Sequence, residues 1–596
     1  MKKRGADIIM DTLADNGIEQ AFCVVGGGAM YLDNALGNSQ RIKTVFNHHE
    51  QACAMAAEGY ARYTQNKPAL VCVTSGPGGT NALTGVMGAY EDSVPMIIVS
   101  GQVRYDTTVA ETGLNLRRRG EQEFNIVDTV KTMTKYVKMV VDPLEIKREV
   151  QKAYDIAMSG RRGPVWLDIP LNVQSAEIEE DDLYPATSGI SYITPSDRDF
   201  ETVINMIKQA KRPCILAGSG IRSSGLYDDF VEFLDSVHIP AINAVCMVDT
   251  VPPEYPLYGS SSGAISSRIG NFIIQNSDLI LVLGCSLGFK QTGFAQENFA
   301  PGAKIVMVDV NPDEAEKPGL RIAAFLHSDL KIFFKMCRKN KINISASEEW
   351  TAYVKKLNDR FRPYGETVGQ AKEARVDAME FWKKLSSLLE EDAVIVLGNS
   401  SSVWGKLIYA TSHKNQRVIV NSNCGSMGDD IPLAVGAAIA AQKPVYLISG
   451  DGSLMMNIQE LATIKHHKLP VKILAFCNNG YGNIVQTCKT YFNGRNVGCT
   501  DADLSFPDFE KLSAAFDITY DKCANTAEID DCVSKVCRAT TPCFVEILQL
   551  PDNRMFPRVS SRFNADGTFE RPRLADMSPF LEKEEYESLM ISERKE

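Results

Sequence analysis

Short apolar runs alternate with helical periodicity through most of the chain, and nearly every run closes in a loop rich in glycine, serine or asparagine. In the first third, residues 21–25, 43–46, 69–73 and 96–100 read as strands, a helix over 51–63 follows the second, and 163–170 closes the set. The middle third repeats the pattern more sparsely, with strands at 214–217, 279–283 and 304–308. In the last third, 444–449 and 471–477 are strand-type runs with a helix between them. Leu454, Ile458, Leu461 and Ile464 recur there at helical spacing and give that helix one apolar face. Lys465, His466, His467 and Lys468 fill its last turn, where positive charge suits the helix dipole, and Pro470 bars continuation. Strand–helix–strand units in series predict an α/β chain of doubly wound domains with mainly parallel sheets.

The two loops of the 444–480 unit carry the sharpest chemistry. The first strand ends in Gly450-Asp451-Gly452-Ser453 and the second in Asn478-Asn479-Gly480-Tyr481. In a parallel sheet both loops leave at the same carboxyl edge, so Asp451 and Asn478 come together although 27 residues separate them. A carboxylate, an amide oxygen and the backbone carbonyl of Gly480 are hard oxygen ligands, suited to a magnesium ion that holds a diphosphate. The amides of Gly452 and Ser453 open the helix and point at the same anion, and Gly450 and Gly452 let the backbone approach it. A GDG triplet alone reads as an ordinary βα turn; the paired loops at this spacing favour the metal site.

GDGS followed by NNG at this distance resembles the thiamine diphosphate signature of the acetolactate synthase group of decarboxylases and carboligases. Distant segments match too: HHEQACAMAAEGYAR (48–62), VTSGPGGTN (73–81) and SGQV (100–103). The resemblance covers nearly the whole chain and implies three αβα domains in the order pyrimidine-binding, middle and diphosphate-binding. It implies Asp451, Asn478 and the Gly480 carbonyl as magnesium ligands, and Glu50 as the acid that meets the cofactor's aminopyrimidine. Alone, Glu50 reads as a dipole stabiliser at a helix start. A carboxyl there favours the imino tautomer, whose exocyclic nitrogen can take the proton from thiazolium C2. By the same resemblance Gly27 and Gly28 lie over the cofactor and Gln102 faces the substrate. The Gly425 carbonyl receives the aminopyrimidine hydrogen, and Met427, otherwise core filler, wedges between the two rings. Tyr481 completes the cofactor loop.

Composition narrows the class. Of 596 residues, 44% are apolar and 23% charged, which is ordinary globular chemistry. A net charge of −11 without a basic block excludes nucleic acid as the expected partner. The fifteen cysteines stand singly without a CxxC pair, the pattern of reduced thiols in a cytoplasm. No run approaches the ~18 apolar residues of a membrane span. The domains are drawn at 1–175 for pyrimidine binding, 196–340 for the middle and 373–555 for diphosphate binding. An acidic linker covers 176–195, a charged helical connector 341–372 and a tail 556–596. The tail could cover the site, bind a partner or pack.

Four departures from the family shape the functional expectation. Gly26 replaces a usual proline, and Asp429-Asp430 replace an aromatic and a glycine. The flavin-facing segment 284–293 lacks both family arginines, with Ser286 and Lys290 present instead, so flavin adenine dinucleotide is not expected and a structural middle domain is. Gly218-Ser219-Gly220 is only part of a dinucleotide turn, and Asp309 reads equally as a ribose ligand or a turn cap. Arg117-Arg118-Arg119 reads as a solvated run, an intersubunit contact or a substrate-carboxylate site. Asn483 and Thr487 replace a methionine and a tryptophan, which makes the substrate pocket more polar unless they face a structural water. The expectation is an enzyme dependent on thiamine diphosphate and Mg2+ that decarboxylates a small 2-oxo acid, pyruvate first, and passes the carbanion to a carbonyl acceptor. A keto-sugar or sugar-nucleotide acceptor and a flavin-linked oxidase are the alternatives. The family arrangement implies a homodimer or dimer of dimers, with Glu50 of one copy facing cofactor held by another.

Overall fold

The computed structural model describes residues 2–591 except 66, 187–188, 363–374, 400–403, 410, 551–554, 561, 564–568 and 571. Three six-stranded parallel sheets follow one another along it. The first contains β1 (Gln20–Cys23), β2 (Lys43–Phe46), β3 (Leu70–Val73), β4 (Met96–Gln102), β5 (Tyr136–Met139) and β6 (Pro164–Pro170), in the spatial order β2-β1-β3-β4-β6-β5. The second contains β7 (Pro213–Ala217), β8 (Ala241–Asn243), β9 (Tyr258–Ser261), β10 (Leu279–Leu283), β11 (Lys304–Asp309) and β12 (Ile322–His327), in the order β9-β8-β7-β10-β11-β12. The third contains β13 (Val394–Leu397), β14 (Arg417–Val420), β15 (Val445–Gly450), β16 (Val471–Cys477), β17 (Thr519–Cys523) and β18 (Cys543–Leu548). Its order, β14-β13-β15-β16-β18-β17, repeats that of the first. Inner strands such as β3, β10 and β16 are buried along their whole length, as sheets covered on both faces require.

Four helices matter below: α1 (Met30–Asn38), α2 (Glu50–Tyr63), α3 (Asp430–Ala441) and α4 (Gly482–Tyr491). The first and third domains meet where α2 packs against α3. Both helices are rich in alanine and glycine there, and their backbones approach closely. A Cβ added at Gly436 would lie 1.9 Å from the Ala56 carbonyl oxygen, and one at Gly59 would lie 2.2 Å from that of Leu433. One core cluster accordingly runs through both domains, joining Ala56, Ala57 and Tyr60 to Leu433, Ala434 and Ala437.

The helix expected between the 444–449 and 471–477 runs is broken. Asp451–Leu454 and Leu461–His466 are α-helical, while Met455–Glu460 is a 3-10 segment kinked at Asn457 (φ −142°, ψ 34°). The apolar face survives, with Leu454, Leu461 and Ile464 fully buried. Within the expected linker, Glu177–Glu179 pairs antiparallel with Lys2–Arg4. The tail packs on the middle domain: Leu574, Ala575 and Leu589 join its core, and the buried Arg268 donates to the carbonyls of Met577 and Pro579. Among the described residues no helix is long and apolar enough to cross a membrane.

Candidate active site

β15 and β16 are parallel neighbours in register, Gly450 opposite Phe476, so their terminal loops emerge side by side. Asp451 is buried at the start of its short helix. Its Oδ1 accepts from Gly452 N (2.8 Å), and its Oδ2 accepts from Asn478 N (2.9 Å) and Asn479 N (2.7 Å). Burial raises the Asp451 pKa, and those backbone donors oppose the rise. Asn478 supplies the complementary group. Its side-chain Oδ1 is buried and has no hydrogen-bond partner, which a bound cation would remedy.

Tyr481 and Met427 close over this loop. The Tyr481 ring occupies the space beside Gly452, where an added Cβ would lie 2.4 Å from Cε1, and Met427 Cε lies 3.5 Å from the same point. Any side chain at 452 would displace the tyrosine. Ser453 Oγ accepts from Gly428 N (3.0 Å), tying the diphosphate loop to the 425–428 turn. Gly425 has φ +59°, a conformation glycine adopts without penalty, and its carbonyl accepts from Asn399 Nδ2. Asp430 opens α3, fully buried and bonded to Ser449 Oγ. Asp429 beside it is buried with Oδ1 unpaired, and desolvation together with Asp430 holds its pKa well above the usual carboxylate range.

Glu50 is the first residue of α2, 9% exposed, and its Oε2 accepts from Asn81 Nδ2 at 3.0 Å. His49 caps the helix by accepting from Gln51 N (3.1 Å). Neighbouring residues reach the third domain: Asn457 Nδ2 donates to Gln51 Oε1 (3.0 Å), and Glu460 accepts from Asn47 Nδ2 and His48 N, both at 2.9 Å. Glu50 itself makes no hydrogen bond within this chain to Asp451, Asn478 or Gly425. Gly27 is exposed, and Gly28 is fixed by donation to Thr74 Oγ1 (3.0 Å). Gln102 is buried and engaged: its Nε2 donates to Phe124 O and Asp168 Oδ2, both at 3.0 Å, and its Oε1 accepts from Val103 N. Asp168 also accepts from Ser100 Oγ (2.6 Å), and burial pushes its pKa up to about 7. Asn483 and Thr487 lie one turn apart on the exposed face of α4, where the Thr487 hydroxyl donates to the Asn483 carbonyl (3.0 Å).

Comparison with known proteins decides the family. Residues 3–129 match the thiamine pyrophosphate enzyme N-terminal TPP binding domain, 200–335 the central domain and 398–547 the C-terminal TPP binding domain. The acetolactate synthase isozyme 2 large subunit of Escherichia coli (strain K12) is 31% identical over 521 residues, 86% of this chain and 90% of that protein. The probable acetolactate synthase large subunit of Methanocaldococcus jannaschii is 29% identical over 560 residues, 91% of this chain and 92% of that protein. The chloroplastic acetolactate synthase of Arabidopsis thaliana is 28% identical over 589 residues, 95% and 84% respectively. The chain belongs to the acetolactate synthase-like thiamine pyrophosphate enzymes.

The residues present fit the cofactor of that family. Asn478 Oδ1 and the carboxylate of Asp451 are oxygen donors of the kind a magnesium diphosphate takes, while the Gly452 amide donates to Asp451 Oδ1 in this structure. Four contributors escaped the sequence reading: Asn81, which holds the Glu50 carboxylate; Asn457 and Glu460, which join the two cofactor domains; and Asp168, which holds Gln102. Asn81 closes the quoted VTSGPGGTN segment, so a signal existed for it. The others depend on strand register and on the kink.

Proposed function

We propose that this enzyme uses thiamine diphosphate and Mg2+ to decarboxylate a small 2-oxo acid, pyruvate first, and to join the remaining two-carbon unit to a polar carbonyl acceptor. The observation that carries the metal assignment is the buried, unpaired Oδ1 of Asn478 beside Asp451. Asp451, Asn478 and the Gly480 carbonyl hold the ion, and the helix start at 451–453 faces the diphosphate, the Gly452 amide turning to it from Asp451 Oδ1. When bound, the cofactor supplies a nucleophilic thiazolium carbon that stores the electrons released with carbon dioxide. Glu50, held by Asn81, manages a proton at the pyrimidine ring nitrogen. Met427 and Tyr481 orient the rings and exclude water, Gly28 borders the reacting centre, and Gln102, fixed by Asp168, supports that wall.

The site is completed by a second copy. In one chain Glu50 bonds only within its own domain, and apolar side chains stand exposed on both halves of the site. Val25 (59% exposed) and Phe46 (49%) flank the pyrimidine-side loops, while Ile484 (47%), Tyr491 (73%) and Phe492 (62%) line α4. Patches of this kind mark association surfaces, and a two-fold axis covers both at once. A polar acceptor is favoured because Asn483 and Thr487 put polar side chains rather than apolar bulk on α4, directly after the 478–480 loop.

Flavin is not a tightly held component in this reading. A cleft of about 740 Å³ opens over the carboxyl ends of β7, β10, β11 and β12, lined in part by Ser219, Gly284, Asp309 and Asp329. Its two lining arginines are already engaged within the cleft, Arg161 with Ser93 and Glu314 and Arg162 with the Ser224 carbonyl. The fifteen free cysteines support a reducing, cytoplasmic setting. Incubating the purified protein with pyruvate, thiamine diphosphate, Mg2+ and a panel of 2-oxo acids, hydroxyaldehydes and keto-sugar nucleotides, then identifying products by mass spectrometry, tests the proposal. Carbon dioxide release with preferential use of polar acceptors is expected. No release from any small 2-oxo acid overturns the reaction; efficient acetolactate formation with no polar acceptor competing overturns the acceptor class. A stoichiometric flavin band that survives gel filtration overturns the view of the middle domain.

A further inference from the structure

We propose that Cys23, Cys72 and Asp33 form a three-ligand zinc site that clips together the two strands carrying the Gly26–Gly28 and Thr74–Gly76 loops. Cys23 ends β1 and Cys72 lies in β3; these strands are parallel neighbours, and the two cysteines are register partners. Neighbouring strands stand ~4.8 Å apart, so both thiols project from the same face into one layer. That layer is the core under α1, where both cysteines pack with Ala29, Leu32 and Leu36. Asp33, half-buried on α1, turns its carboxylate into this otherwise apolar layer. Its Oδ1 lies 3.6 Å from Cys23 Sγ, and the two sulfurs and the carboxylate oxygen all fall within 4.8 Å of one another.

These distances suit a tetrahedral zinc ion. With Zn–S of ~2.3 Å and Zn–O of ~2.0 Å, ideal ligand separations are ~3.8 Å between sulfurs and ~3.5 Å between sulfur and oxygen. The observed 3.6 Å is already there. Two thiolates disfavour magnesium or calcium, which take oxygen, and favour zinc. The remaining carboxylate oxygen, Oδ2, accepts from Gly26 N at 3.0 Å, an outer contact that orients the ligand. The fourth position falls to water on the half-exposed Asp33 side. On binding, two S–H bonds break, two protons leave to solvent and two Zn–S bonds form. The net charge of the cluster stays at about −1 throughout, because two lost protons balance one divalent ion.

The site sits beneath the proposed cofactor loops rather than among their reacting groups. Gly26 is tied to Asp33, and Gly28 N donates to Thr74 Oγ1 (3.0 Å), two residues beyond Cys72, so a clip at 23–72 fixes both loops. Zinc binding stands independently of the proposed reaction; only the cofactor-facing role of the two loops it fixes rests on that reading.

The test titrates the full-length, reduced, chelator-treated protein anaerobically with Co2+ and then Zn2+. One equivalent of cobalt should give near-ultraviolet thiolate charge transfer with strong tetrahedral visible bands, displaced by zinc. Both should disappear in the Cys23→Ser/Cys72→Ser double variant, and Asp33→Asn should weaken zinc at least ~10-fold. Cobalt bound at Asp451 and Asn478 would have oxygen ligands only, without charge transfer, so Asp451→Ala should leave the thiolate bands intact. X-ray absorption at the zinc edge of the unmodified protein avoids any folding defect of the variants, and two sulfurs at ~2.3 Å are expected. The proposal falls if no thiolate band appears at tenfold excess metal, if the bands persist in the double variant, or if mass spectrometry finds a Cys23–Cys72 disulfide in the native protein.

Discussion

Substituting Gly436 by alanine should damage turnover although the residue lies in the middle of α3, away from every proposed catalytic group. The added Cβ would stand 1.9 Å from the Ala56 carbonyl oxygen and 2.8 Å from Tyr60 N, on the backbone hydrogen bond of the facing helix. A carbon and a carbonyl oxygen settle no closer than ~3.3 Å, so α2 and α3 must part by more than ~1 Å. Neither contact is the end of a flexible side chain, so the strain passes to the helices. Overpacking of this kind costs ~1–3 kcal/mol, offset by ~1 kcal/mol of better helix propensity, which leaves a modest net loss of stability. The functional loss is larger. α2 begins at Glu50 and α3 follows the 425–428 turn, and a 1 Å misplacement at a catalytic constellation costs on the order of 10²-fold. The assay compares kcat for carbon dioxide release at saturating cofactor with the thermal midpoint. Gly37→Ala serves as control, because an added Cβ at that exposed helical position meets nothing within 4 Å. A Gly436→Ala enzyme that gains stability like the control and keeps kcat within threefold refutes the account of the helix seam.

Glu50→Gln should bind thiamine diphosphate normally in calorimetry yet lose ~10²–10⁴-fold in turnover, because only proton handling is removed; a loss under tenfold sinks the assignment. Asn478→Ala should weaken joint binding of cofactor and Mg2+ at least ~10-fold without lowering the thermal midpoint of the bare protein, since an unpaired buried oxygen disappears; unchanged affinity in titration rejects it. Phe46→Glu should shift sedimentation toward a monomer and abolish activity while circular dichroism stays unchanged; a fully active assembled variant contradicts the two-copy site. Asp168 holds a proton in the folded chain, between 3.8 and about 7, that the unfolded chain has released. Stability therefore falls as pH rises through that window, by up to ~1.4 kcal/mol per pH unit, and flattens above it. Asp168→Asn should remove this decline, and parallel urea midpoints against pH for the two proteins would refute it.

Inner strands were legible where complete burial writes them as unbroken apolar runs: 279–283 and 471–477 agree with the structure to the residue, and the largely exposed edge strand 43–46 was read as well. The strands that went unread include the half-buried edge strands Tyr136–Met139, Ile322–His327 and Thr519–Cys523, the short pair Ala241–Asn243 and Tyr258–Ser261, and in the third domain Val394–Leu397, Arg417–Val420 and Cys543–Leu548. Edge strands mix polar and apolar positions because one side meets solvent, so they lose the signal that marks the centre. The 453–466 helix was misread for a different reason. Asn457 Nδ2 donates to Gln51 Oε1 and to the Gly428 carbonyl (2.6 Å), and those long-range bonds outweigh a local periodicity that the apolar residues still obey. Asp451 and Asn478 were brought together by topology alone, since neighbouring parallel strands deliver their loops to one edge. The environment of Gln102 was not legible, because its partner Asp168 is set by the register that places Ser100 opposite Asp168 on the adjacent strand.

The repeated strand order of the first and third domains explains why the site belongs between them. Each sheet sends its glycine-rich loops out at its carboxyl edge: Gly26–Gly28 and Thr74–Gly76 from the first, Gly450–Ser453 and Asn478–Tyr481 from the third. Neither edge carries a complete chemistry. The first supplies the Glu50 carboxylate, held by Asn81, and the third supplies the candidate metal ligands Asp451 and Asn478. Within one chain α2 and α3 already join the two domains through a glycine seam, yet among the described residues the Glu50 carboxylate is held by Asn81 of its own domain. The unused apolar surface completes the logic. Val25 and Phe46 stand exposed at the ends of the strands that precede the acid, and Ile484, Tyr491 and Phe492 on and just after the helix that follows the 478–480 loop. In the proposed assembly a second copy related by a two-fold axis would cover both patches and bring each acid to the other copy's Asp451–Asn478 loop, so that assembly and activity would become one event.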